Sequence, residues 1–179
     1  MNTALSRVNS VFAYNLTTLA ALAVLVFLST NFKDKTLETK ISVASPKVRF
    51  DIERMASGPE RKDYGVVKLD IEADLTDLFD WNTKELFVMV IAYYETSKTD
   101  INQIVLWDKI IQRGEPAKIT LNQAKPEYRF FDDGKGLLGN ENVTLQLSWN
   151  VIPHVGRLPL VYSNTYQIKF PTNYISGAM

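Results

Sequence analysis

Hydrophobic positions along this chain follow two different rules. From Val11 to Thr30, VFAYNLTTLAALAVLVFLST, they run together, and no charged side chain occurs between Arg7 and Lys33. A helix over that stretch is about 30 Å long, the thickness of a bilayer core. The pattern predicts a transmembrane signal-anchor over 11–32. A cleaved signal peptide would have a shorter apolar region and a small-x-small site, and Phe27, Leu28, Thr30 and Phe32 offer none. After a polar stalk, Lys33 to Lys40, the rule changes to period two. In Gly65 to Leu75, residues Val67, Leu69, Ile71, Ala73 and Leu75 point one way, while Lys68, Asp70, Glu72 and Asp74 point the other. Asn142 to Val151 repeats the alternation, with Val143, Leu145, Leu147, Trp149 and Val151 inward.

Between these two strands lies the stretch that organises the rest, Phe79 to Ile111. Two β-branched and aromatic runs, Glu85 to Tyr94 and Ile104 to Ile111, flank the polar connector ETSKTDINQ, which predicts paired antiparallel strands. The first run is apolar on both faces and is expected to be a central strand covered on both sides. Ile41 to Phe50 is an edge strand or is broken in two at Pro46. Ser57-Gly58-Pro59 and Phe131 to Asn140 read as loops. Shorter strands are expected at Ala117–Leu121, Glu127–Phe131 and Thr165–Phe170, giving about seven strands and no strong amphipathic helix after the anchor. The expected fold is mainly β: a single N-terminal transmembrane helix followed by an antiparallel β-sandwich domain. The expected division is 1–10 cytosolic, 11–32 membrane-spanning and 33–179 lumenal.

Composition and charge narrow the function. Lys+Arg and Asp+Glu both number 20 in 179 residues, so no basic field exists to hold nucleic acid. There is no cysteine, which removes thiol catalysis and cysteine metal sites, and His154 is the one histidine. The G-x-S-x-G, Walker and Rossmann patterns are absent. Asp132-Asp133-Gly134 with Asn140 lacks the ligand spacing of a calcium loop and reads as a turn. Asp70, Glu72 and Asp74 read as a solvated strand face. No catalytic, cofactor-binding or metal-ligating residue is therefore assigned. Trp81 and Trp107 have two readings, core tryptophans or anchors of a partner surface.

Topology rests on sequence and mass rather than charge. Arg7 precedes the span and Lys33, Lys35 and Lys40 follow it, so the positive-inside count leans against a cytosolic amino terminus. Nearly all the chain follows the span, however, and Asn142-Val143-Thr144 is a glycosylation sequon in that part, with Asn142 as its acceptor. Asn15-Leu16-Thr17 falls inside the span and is expected to be silent. Ala13, Thr17 and Ala21 form a stripe of small residues on one helix face.

The segment Ala73 to Ile111, ADLTDLFDWNTKELFVMVIAYYETSKTDINQIVLWDKII, holds Phe79-Asp80-Trp81-Asn82, and Asn102-Gln103 through Trp107-Asp108-Lys109. It closely resembles the signal peptidase complex subunit 3 family, the small single-span accessory subunits of the endoplasmic reticulum signal peptidase. The opening MNTALSRVNSVFAYNLTTLAAL and the segment YRFFDDGKGLLGNENVTLQLSWNVIP, Tyr128 to Pro153, are similar to it too. Departures are Glu85 for the usual Gln, Tyr93-Tyr94-Glu95 for Ala-Glu-Tyr and His154 for Asn, and Ser42 to Lys62 matches poorly. The resemblance implies a noncatalytic type II protein of the endoplasmic reticulum membrane. Its amino terminus would be cytosolic and its bulk a lumenal β-sandwich. It would support the catalytic subunit in cleaving signal peptides from nascent secretory and membrane proteins. Implied partners are the catalytic signal peptidase subunit, the other subunits, membrane lipid through one helix, and signal-peptide-bearing nascent chains. Phe79, Trp81, Asn82, Trp107, Asp108 and Lys109 are the candidate partner interface. The rival reading is a membrane-anchored extracellular β-sandwich with an adhesion or receptor-like role. Against its immunoglobulin form stands the missing Cys…Trp…Cys pattern.

Overall fold

Uninterrupted apolar sequence folds as one helix, α1 (Ala4–Asn31), in the computed structural model, which describes residues 3–55 and 58–175. Thr3 caps its first turn by accepting from the Ser6 N–H at 3.3 Å. Its 28 residues span about 42 Å, so the helix starts well before the expected span. Among the described residues it is the one helix long and apolar enough to cross a membrane. Polar side chains in its first half satisfy themselves locally. Asn15 Nδ2 donates to the Val11 carbonyl, Thr17 Oγ1 to Ala13 and Thr18 Oγ1 to Tyr14, each at 2.9 Å. Such back-bonding is what lets a polar group sit in hydrocarbon.

Beyond the helix the described residues form two antiparallel sheets. One has the order β1 (Lys40–Met55), β2 (Gly58–Asp74) and β5 (Lys118–Ala124), with the short β6 (Phe130–Asp132) also on β2. The other runs β4 (Asn102–Gln112), β3 (Thr83–Tyr94), β7 (Val143–Pro153), β8 (Leu160–Ile168). A single 3-10 turn, Thr76–Leu78, links β2 to β3. The inward residues of β2 and β7 are all buried, and they meet Leu86, Val88, Val90 and Ala92 of β3 in one core. That is the expected sandwich. Gly65 lets two rings close in there: a Cβ would lie a tight 3.1 Å from both Phe130 Cδ1 and Phe170 Cζ.

Several element boundaries differ from expectation. β1 is one edge strand, kinked rather than broken, with a register shift between Ala44 and Lys47 and Ser45 at φ 47°. Gly58 and Pro59 are not loop; they pair with Met55 and Arg54. β2 has only β1 beside it there, and a proline is tolerated where no second strand needs its N–H. Ser57 lies outside the described residues. β6 is shorter than Glu127–Phe131, because the Glu127 and Tyr128 N–H groups donate instead to the Leu106 carbonyl. β8 starts at Leu160, ahead of Thr165. β3 is central, between β4 and β7, but only one of its faces lies under another sheet. On the other face Met89 and Ile91 are buried among side chains of the flanking strands, with Phe87 and Tyr93 half-buried.

Candidate functional site

The turn before β3 is where the sandwich meets the helix. Asn82 is 2% exposed, and its side chain is fully engaged. Its Nδ2 donates to Thr30 Oγ1 at 2.9 Å and to the Val155 carbonyl at 2.8 Å, while its Oδ1 accepts from the Val155 N–H at 3.1 Å. Its own carbonyl accepts from the His154 N–H at 2.7 Å. One asparagine thus ties the last turn of α1 to the loop after β7. Gly156 sits in that loop at φ 133°, and a Cβ there would come within 3.1 Å of Phe27 Cδ2. Only glycine permits both the backbone angle and the approach to the helix.

Charge reinforces the joint. Asp80 Oδ1 accepts from the Asn82 N–H at 2.9 Å and the Thr83 N–H at 3.0 Å, and its Oδ2 lies 3.4 Å from Lys33 Nζ. Burial opposes ionisation of Asp80, but the Asn82 N–H, the Thr83 hydroxyl and the Lys33 ammonium outweigh it. Its pKa is lowered. Arg113 reaches across from the end of β4 to the Asp80 and Thr83 carbonyls. The stalk is held as well: the buried Trp149 donates its indole N–H to the Lys35 carbonyl at 3.1 Å. Between helix, stalk and the 153–159 loop lies an open cavity of about 460 Å³, with Phe27, Thr30, Asn82 and Leu158 in its wall.

The six residues expected at a partner interface do not form one patch. Phe79 packs half-buried against the core, Asn82 is committed to the helix, and Trp81 is 58% exposed. Trp81 is therefore not a core tryptophan. Trp107 packs half-buried against the core opposite Val90, with Asp108 half-buried and Lys109 exposed beside it on β4. From Thr83 to Val90 along β3 is about 23 Å, so the two groups lie well apart. Asn142 is exposed just before β7, its N–H donating to Asn140 Oδ1 at 2.9 Å.

A second polar cluster was not foreseen. Buried Asp63 accepts from the Leu137 and Leu138 N–H groups at 3.2 and 2.9 Å and from the Tyr174 hydroxyl at 2.9 Å. Buried Asp132 accepts from the Tyr94 hydroxyl at 3.0 Å and the Gly136 N–H at 2.8 Å. Burial, and then the Asp132 carboxylate, push the Tyr94 pKa far up, so the phenol stays a donor and not a base. The chemistry of this cluster is a clamp on the 134–140 loop. Acidic residues flanked by glycines look alike in sequence whether they bend a loop or close it onto a core, so no local signal marked Asp63. The Thr30–Asn82 pair is likewise invisible to any periodicity, since its members are separated by 52 positions.

Comparison with known proteins bears on the whole chain. The sequence profile of a family described as "Signal peptidase subunit" matches residues 1–173. "Signal peptidase complex subunit 3" of Homo sapiens is 46% identical over 175 residues, 97% of each chain. The protein of that name from Gallus gallus is 47% identical over 175 residues, again 97% of each. The one from Drosophila melanogaster is 40% identical over 180 residues, covering 100% of each.

Proposed function

This chain belongs to the signal peptidase subunit family, and from that premise we propose that it is a noncatalytic accessory subunit of the signal peptidase complex. The observation that carries this is similarity over essentially the full length of both chains, helix and sandwich together. The other subunits of that complex are its partners. The adhesion or receptor reading draws no support from these relatives. The catalytic subunit is the direct partner, the membrane is that of the endoplasmic reticulum, and nascent chains bearing signal peptides are the substrates it helps to process. Residues 1–10 lie in the cytosol, 11–32 cross the bilayer, and 33–179 form the lumenal domain, where Asn142 carries a glycan. The sequon and the mass of chain beyond the span support that orientation. The positions of Trp107, Asp108 and Lys109 together on β4, well apart from Trp81, support a contact with a neighbouring subunit there.

Depletion tests the assignment. Cells lacking this protein accumulate secretory precursors with uncleaved signal peptides, and the catalytic subunit co-purifies with a tagged copy. Normal processing after complete depletion would overturn the reading. Substituting His154 or Ser148 by Ala leaves cleavage intact wherever the chain still folds. For orientation, Asn142→Gln loses a glycan-dependent mobility shift, and the domain resists protease outside sealed microsomes.

A further inference from the structure

An apolar surface at the junction is accounted for by neither the core nor the helix. Around the junction, four large apolar side chains stand in solvent: Phe32 at 83%, Leu158 at 62%, Trp81 at 58%, and Val155. They come from three separate segments: the end of α1, the turn before β3 and the loop after β7. The exposed Arg157 lies among them, and Lys33 follows Phe32.

Their depth follows from the hydrogen bonds. From Val11 to Asn31 α1 is about 32 Å long, and the hydrocarbon core of a bilayer is about 30 Å thick. A helix that fills that span ends with its last turn among the headgroups. Asn82 is bonded to Thr30 in that turn, so the neighbouring Trp81 lies at the same level. Gly156 packs against Phe27, one turn nearer the bilayer centre, so the loop carrying Val155 and Leu158 dips lower still. Tryptophan with an exposed ring, aliphatic side chains and flanking cations is the composition of a membrane–water interface.

We propose that the helix-proximal end of the sandwich is itself a phospholipid-binding surface: Trp81, Val155 and Leu158, with Phe32, insert at the headgroup–acyl boundary of the bilayer that α1 crosses, and Arg157 meets its phosphates. The domain is thereby seated on the membrane and not merely tethered to it. This rests on α1 spanning the bilayer and not on the peptidase assignment, so the fate of either leaves the other standing.

The test uses the full chain in bilayer discs of phosphatidylcholine brominated near the top of its acyl chains. Tryptophan emission is compared between the wild type and Trp81→Phe. Bromine quenches part of the wild-type emission, and that part is lost in Trp81→Phe. Leu158→Ser, a change in an exposed loop with no core contact to break, reduces the quenching of Trp81. Equal quenching in wild type and Trp81→Phe overturns the proposal, as does quenching of Trp81 by aqueous acrylamide but not by brominated lipid. The same measurement on the assembled complex gives one more outcome. Protection of Trp81 from both quenchers there would assign this surface to another subunit and overturn the lipid reading.

Discussion

Replacing Asn82 by Ala removes three side-chain hydrogen bonds from a buried site. Two of them, to the N–H and carbonyl of Val155, hold the loop after β7; the third holds Thr30 of the helix. A typical bond contributes about 1 kcal/mol net, so the sum is about 3 kcal/mol. Val155 is partly exposed, and water recovers some of its lost pairing, which brings the expected cost to about 2–3 kcal/mol. For a chain of this length that lowers the melting temperature by about 4–12 °C. The assay is thermal unfolding of the full chain in detergent, monitored by β-sheet circular dichroism. Thr30→Val removes the helix-side acceptor together with the hydroxyl's own 3.3 Å bond to the Val26 carbonyl, and a cycle combining both substitutions isolates the contact with Asn82. The coupling expected between them is about 1 kcal/mol. A shift under about 1 °C for Asn82→Ala would refute the claim that this residue locks the joint, as would a coupling indistinguishable from zero for the helix contact.

Other outcomes follow from the same bookkeeping of partners. Leu147→Ala, at a fully buried position in the centre of β7, costs about 2–5 kcal/mol in denaturant unfolding, and an unchanged midpoint would show the inward face to be misassigned. Asp63→Ala strands two backbone N–H groups and the Tyr174 hydroxyl; it lowers stability by about 3 kcal/mol and speeds protease cleavage within the 134–140 loop. The lowered Asp80 pKa gives a pH dependence of definite sign. Because the folded-state value lies below the ordinary 3.8, the stabilisation is fully present above about pH 5 and is lost as pH falls through the folded-state value. The difference in melting temperature between wild type and Asp80→Asn therefore narrows on acidification from about pH 5 to about pH 2, and a constant difference would contradict it.

What could be read from sequence was what repeats. β2 and β7 were legible because one face is wet and the other buried over many residues, so burial itself has period two. α1 was legible because nothing interrupts it, although it begins at Ala4, ahead of the apolar run, where the Thr3 cap starts it. β8 started unread because it is an edge strand whose first half, with Leu160 and Tyr162 exposed, alternates without a dry face. Gly58-Pro59 misled because those residue types mark turns far more often than they begin a strand with one neighbour. At the site, the chemistry of Asn82 is common, and only the folded chain brings Thr30 and Val155 to it. Trp81 could be read either as core or as surface, and only the folded chain shows it exposed.

The lock at Asn82 has a mechanical meaning. A flexible stalk would let the sandwich hang at any angle; here Trp149 pins the stalk and Asn82 pins the helix, so sandwich and helix move as one body. The far end of β3 is about 36 Å from the joint. A helix tilted by about 20°, ordinary for a membrane span, moves that end by up to about 12 Å relative to an upright one. Tilt, which neighbouring helices and interfacial anchors set, thus becomes a coordinate for the position of every residue at the distal rim.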